Sequence, residues 1–101
     1  DTHDVDIVVS NEIYEQFRAQ KTWHEATWTS GKRVLVRGQY TLMKTWMGWS
    51  LRQLQRDAER IEQIPCVSIE RLIDAKRRIG RRKDISDITL LRSRRSKRRL
   101  Q

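Results

Sequence analysis

Cysteine is nearly absent from this chain. Cys66 stands alone, so no internal disulfide can form, and no CxxC pair or Cys/His cluster offers a zinc site. The one cysteine reads as an inert buried thiol. Proline occurs once and glycine four times in 101 residues, too few for a low-complexity or disordered chain. No apolar run approaches the roughly 18 residues that a membrane-spanning helix needs, and no charged-then-apolar leader opens the sequence. A soluble, cytoplasmic protein is expected. His3 and His24 are far apart and have no metal-ligand spacing, so both read as turn or surface residues. Acidic residues are missing from the whole stretch between Glu25 and Asp57.

What is present is cationic and unevenly placed. The net charge is +9. Residues 1–70 hold nine Lys/Arg against ten Asp/Glu, whereas residues 71–101 hold thirteen against three. All of the excess sits in the last third, a basic appendage on a near-neutral domain, which suits salt-dependent binding to a polyanion. The chain opens without Met and passes almost directly into a strand-like run, which reads as a trimmed chain or a fragment.

Val5-Asp6-Ile7-Val8-Val9 is β-branched and predicts a buried strand. Ser10 or Asn11 can cap a helix over 11–20, with Ile13, Tyr14 and Phe17 as its apolar spacing. Between Thr22 and Met43 the pattern alternates, predicting a hairpin turned at Ser30-Gly31-Lys32 and a third strand near Gln39–Met43. Trp23 and Trp28 are expected to pack in the core and at its rim. Ser50 can cap a short helix over Leu51–Gln55, and residues 58–61 and 66–69 are short strand candidates. Ser68, with Ile69, Leu72, Ile73 and Lys76 at helical spacing and Gly80 as a left-handed stop, predicts the next helix. A last helix begins near Lys83 or Asp84 and carries an Ile85, Ile88, Leu91 stripe. Beyond Leu91 nothing apolar remains, so residues 92–101 read as a basic, flexible tail on a domain of residues 1–91.

Asp4 and Asp6 alternate at the head of the first strand and so share one face. Two carboxylates held this way can take divalent metal and orient a nucleoside triphosphate; a solvated strand end is the plain alternative. Thr2-His3-Asp4-Val5-Asp6-Ile7-Val8-Val9 resembles the strand that bears the first two metal-binding acids of the nucleotidyltransferase superfamily. Ile64 to Lys76, followed by Gly80-Arg81-Arg82-Lys83-Asp84-Ile85-Ser86-Asp87-Ile88, is similar to the closing segment of small bacterial members of that family. Together the two motifs span about residues 2–91.

The resemblance implies an α+β fold, a small mixed β-sheet flanked by helices and truncated at its N-terminus. It implies Mg²⁺ and NTP at catalytic, metal-binding Asp4 and Asp6, with Lys76, Arg81 and Lys83 toward the nucleotide and Asp84 capping the last helix. A snorkelling Lys76 and a solvated Arg81/Lys83 turn are the alternatives. Two family features are missing: a Gly-Ser loop upstream of the acids, and a third carboxylate on a later central strand, which here reads Gln39-Tyr40-Thr41-Leu42-Met43. Each such loss costs orders of magnitude in rate, so the chain alone is expected to be inactive. The reaction implied for a complete domain is transfer of a nucleoside monophosphate from an NTP.

Two other readings accompany this one. Arg92, Arg94, Arg95, Lys97, Arg98 and Arg99 form a run dense enough to bind RNA or DNA without any catalysis. Trp46 and Trp49, flanking Gly48 in a loop-like stretch, could serve a protein partner, as in one half of a toxin and antitoxin pair.

Overall fold

The computed structural model describes residues 4–100, with side chains described as far as Ser96. Contacts divide the chain into two compact units, Asp1–Gln53 and Leu54–Gln101. It is a small α+β protein, as expected. No helix among the described residues is long and apolar enough to cross a membrane.

The first unit is built on a four-stranded mixed sheet in the order β1-β4-β3-β2, comprising β1 (Val5–Val8), β2 (His24–Thr27), β3 (Arg33–Arg37) and β4 (Tyr40–Met43). The β2–β3–β4 meander is antiparallel, and β1 joins β4 in parallel with Asp6 opposite Thr41 and Val8 opposite Met43. Strand pleating therefore puts Asp6, Val8, Thr41, Met43, Val34 and Val36 on one face and Ile7, Leu42 and Leu35 on the other.

The second of these faces carries α1 (Asn11–Arg18), whose N-cap is Ser10, its hydroxyl accepting from Ile13 N at 3.2 Å. Tyr14 packs there with Leu35 and Leu42, bordered by Val9, Phe17 and Trp23. Fully burying side chains of this size stabilises the fold by about 1.5–3 kcal/mol each. Phe17 and Trp23 meet edge to face at 5.4 Å between centroids.

One expectation about this sheet needs correcting. The β1 run is a strand, but it lies at the edge of the sheet, and Val5, Asp6 and Ile7 are exposed. A β-branched run specifies extended backbone and is silent on whether a neighbour covers it. Trp28 sits at the rim, 42% exposed, with the Lys32 ammonium 5.2 Å from its ring centroid.

The Trp46/Trp49 segment is a two-residue hairpin, β5 (Thr45–Trp46) and β6 (Trp49–Ser50), in which Met47 (φ 54°) and Gly48 (φ 82°) make the left-handed pair a tight hairpin turn needs. Its two rings pack on each other at 5.8 Å, half-buried. Helix α2 (Leu51–Arg56) follows from a reciprocal capping box, Ser50 N donating to Gln53 Oε1 at 2.8 Å and Gln53 N to Ser50 Oγ at 3.2 Å.

The second unit contains the hairpin β7 (Glu59–Ile61) and β8 (Ile64–Cys66), then α3 (Ile69–Ile79) and α4 (Arg82–Leu100). The strand expected over 66–69 thus ends at Cys66, because Ser68 is the α3 N-cap and accepts from Arg71 N at 3.2 Å. Gly80 closes α3 at φ 70°, its N–H donating to Lys76 O at 2.9 Å. Packing of α3 on α4 buries Ile73, Ala75 and Ile88. The α4 face that is covered runs through Asp84, Ile88, Leu91 and Arg95 at helical spacing; Ile85 is 60% exposed and falls outside it.

The β7–β8 turn places Glu62 (φ 51°) and Gln63 (φ 68°) in the left-handed region. A side chain there costs roughly 1–2 kcal/mol, so Gln63→Gly is expected to stabilise the protein by about 1 kcal/mol, read as a higher urea midpoint at unchanged slope.

Candidate functional site

In the first unit the site is built at the head of β1. Asp4 precedes the strand and Asp6 lies within it, both exposed. Asp6 binds its proton more tightly than an ordinary carboxyl. Partial desolvation of the carboxyl against the sheet is the largest cause, the charge of Asp4 adds to it, and Lys32 opposes it. The Asp4 charge therefore lies near enough to act on the Asp6 carboxyl.

Lys32, just before β3, completes the electrostatics. Burial pushes its ammonium below the usual lysine range while Asp6 pulls it back up, and its Nζ lies 3.4 Å from Met43 Sδ, on the same sheet face as Asp6. Nothing in the sequence pattern singled out Lys32; a lysine in a hairpin turn has no signature until the sheet is closed. Thr41 on β4 stands directly opposite Asp6. Among the described residues no cluster of three or more His, Cys, Asp or Glu forms.

No protein-family model, curated protein or solved structure matches this chain.

A cleft of about 320 Å³ beside α1 is lined by Tyr14, Glu15, Arg18, Glu25, Lys32, Arg33, Lys44 and Thr45. Several of its charges answer one another. Glu15 accepts from Arg18 Nε at 2.8 Å and lies 3.8 Å from Lys44 Nζ, and the Arg18 hydrogen bond holds the Glu15 carboxyl below its usual range. The Tyr14 hydroxyl donates to Glu25 at 3.4 Å, and burial, reinforced by the Glu25 charge, pushes the phenol above its ordinary value. Lys44 rests 4.8 Å from the Tyr14 ring centroid.

In the second unit Lys76 and Arg81 come together, but around carboxylates. Lys76 Nζ lies 2.9 Å from Asp87 Oδ2 and 3.8 Å from Asp84 Oδ1. Arg81 holds Asp84 through Nε at 2.7 Å and Nη2 at 3.2 Å. Asp84, whose side chain is 1% exposed, also accepts from Arg81 N at 3.2 Å, so it does cap α4, from the third helical position back to the first free amide. The Gly-Arg-x-Lys-Asp turn is thus accounted for by helix stop, cap and ion pairs. Lys83 is exposed and makes no ion pair among the described residues.

The Arg81 hydrogen bond keeps the Asp84 carboxyl below its ordinary 3.8. A depressed acid stabilises the fold once ionised and loses that contribution as pH falls through its lowered value. The α3–α4 pair is therefore expected to weaken in acid below about pH 3.8, and Asp84→Ala to lower Tm at neutral pH and flatten that acid transition, both read by circular dichroism.

The basic run is helical. α4 continues through Leu100, so Arg92, Arg94 and Arg95 extend from a helix already begun at Arg82. The helix was expected to stop near Leu91; arginine is a good helix former, and the packed first half nucleates the rest. Arg92 and Arg94 are exposed, and Arg95 lies 3.9 Å from Glu70. The side chains of Lys97, Arg98 and Arg99 lie outside the described residues, as does His3.

Proposed function

We propose that this chain is a nucleotidyltransferase-like domain that binds a magnesium–nucleotide complex at Asp4 and Asp6 and does not itself complete nucleotidyl transfer. The observation that carries this reading is the pair of carboxylates one residue apart at the head of β1, where the charge of Asp4 adds to the cost of ionising Asp6. A divalent cation relieves that repulsion. The donor set fits Mg²⁺, a hard cation commonly held by one or two carboxylates plus substrate phosphates instead of a full protein cage. Bound there, Mg²⁺ would neutralise phosphate charge. Asp4 and Asp6 would hold it, and Lys32, already facing Asp6, is a better placed cation for a phosphate than Lys76 or Arg81, whose charges are committed to Asp84 and Asp87. With Thr41 where a third acid would stand, the set is suited to binding more than to turnover. Calorimetry with Mg-ATP and Mg-CTP tests this: heat from the wild type and none from Asp4→Asn/Asp6→Asn is expected, and identical heats would remove the metal site.

A second reading rests on a different observation, the persistence of α4 through the basic run. Six Lys/Arg among residues 92–99 on one helix repel each other at three- and four-residue spacing until a polyanion neutralises them. RNA or DNA would be bound through phosphates without sequence readout.

A further inference from the structure

We propose that the outer edge of β1 accepts an added β-strand from a second protein, an extended segment whose side chains alternate between apolar and basic. The sheet ends at β1. Its inner edge is bonded to the β4 side by Val5 N to Gln39 O at 2.8 Å and Val9 N to Met43 O at 2.9 Å. Strand alternation therefore turns the N–H and C=O of Asp6 and Val8 outward, as a ready template for another backbone. No proline or lysine blunts Val5–Val8.

Both faces beside this edge specify the occupant. On the α1 side a groove of about 510 Å³ is lined by Ile7, Val9, Phe17, Trp23, Tyr40 and Leu42, with Arg37 at its border. Trp23 Nε1 is buried without a hydrogen-bond partner. A strand laid about 4.8 Å from β1 sends every second side chain to this face, where apolar groups fill the groove. On the opposite face stands Asp6, with the charge of Asp4 beside it. A second copy of this chain pairing edge to edge would set acid against acid, so a strand with basic residues at the alternate positions is the complementary partner.

The inference does not depend on the metal reading, although Mg²⁺ and such a strand would compete for Asp6. The test uses a short, end-blocked peptide of alternating lysine and valine, titrated in EDTA without nucleotide and followed by anisotropy. It is expected to bind at least about tenfold more tightly than the glutamate–valine counterpart, and to lose binding when N-methylated along one edge. Val8→Pro removes an outward amide and leaves the β4 pairing intact, a position where an edge strand tolerates proline; this variant should keep its circular dichroism and fail to bind. No binding of the lysine–valine peptide, equal binding of the glutamate peptide, or undiminished binding of the N-methylated peptide overturns the proposal. Sedimentation showing that the protein dimerises through this edge in the peptide's absence overturns it too.

Discussion

Deleting residues 92–101 is expected to abolish nucleic-acid affinity while leaving the rest of the chain folded. The segment contributes six positive charges and no negative ones, so its loss takes the net charge from +9 to +3. Each phosphate neutralised adds about 0.9 to the steepness of log affinity against log salt for duplex DNA, and about 0.7 for a single strand. Six contacts therefore give a slope of about −4 to −5, and moving from 50 to 200 mM salt should cost roughly three orders of magnitude. Stability changes little, because the ion pair described in this segment is the solvent-accessible Arg95–Glu70 contact at 3.9 Å, and such surface pairs contribute about 0–1 kcal/mol. Anisotropy with a labelled oligonucleotide checks this. A salt-independent interaction, or full affinity in the deleted protein, would remove the polyanion reading.

The acidic pair gives the second large effect, in opposite directions for two substitutions. Asp6→Asn should eliminate Mg-nucleotide binding and raise Tm at neutral pH. A carboxyl whose folded pKa lies above the ordinary 3.8 makes the fold bind more protons than the unfolded chain, so stability falls as pH rises through that raised value. At neutral pH the ionised Asp6 is a net cost, which asparagine removes. Thr41→Asp does the converse. It installs a third carboxylate opposite Asp6, and is expected to tighten Mn²⁺ binding about tenfold or more, since ligand charge count sets affinity. Without metal it should cost about 0.2–1 kcal/mol, the scale of a cross-strand pair. Binding lost with stability gained in one variant, and the reverse in the other, cannot come from unfolding.

Much of the local structure is legible in the residues themselves. Ser10, Ser50, Ser68 and Gly80 mark helix ends because hydroxyl caps and left-handed stops are local devices. The placement of Asp6 and Ile7 on opposite sheet faces is likewise readable, because it follows from strand pleating. Other features depend on partners distant in sequence. The counter-ions of Lys76 lie eight and eleven residues on, across the α3–α4 turn, and commit its ammonium to ion pairs. Lys32 meets Asp6 only once β1, β4 and β3 are side by side. The edge position of β1 is a property of strand order, which the Val-Asp-Ile-Val run does not encode. The β7–β8 turn was obscured because Glu62 and Gln63 occupy positions where asparagine and glycine are the usual signal.

The Asp6 carboxyl carbon reports the proposed metal site most directly, through its ¹³C shift titrated against pH with and without Mg-ATP. If Asp4 and Asp6 hold the ion together, the midpoint lies above 3.8 in the free protein and drops when Mg-ATP is added. A midpoint unmoved by Mg-ATP would contradict the assignment.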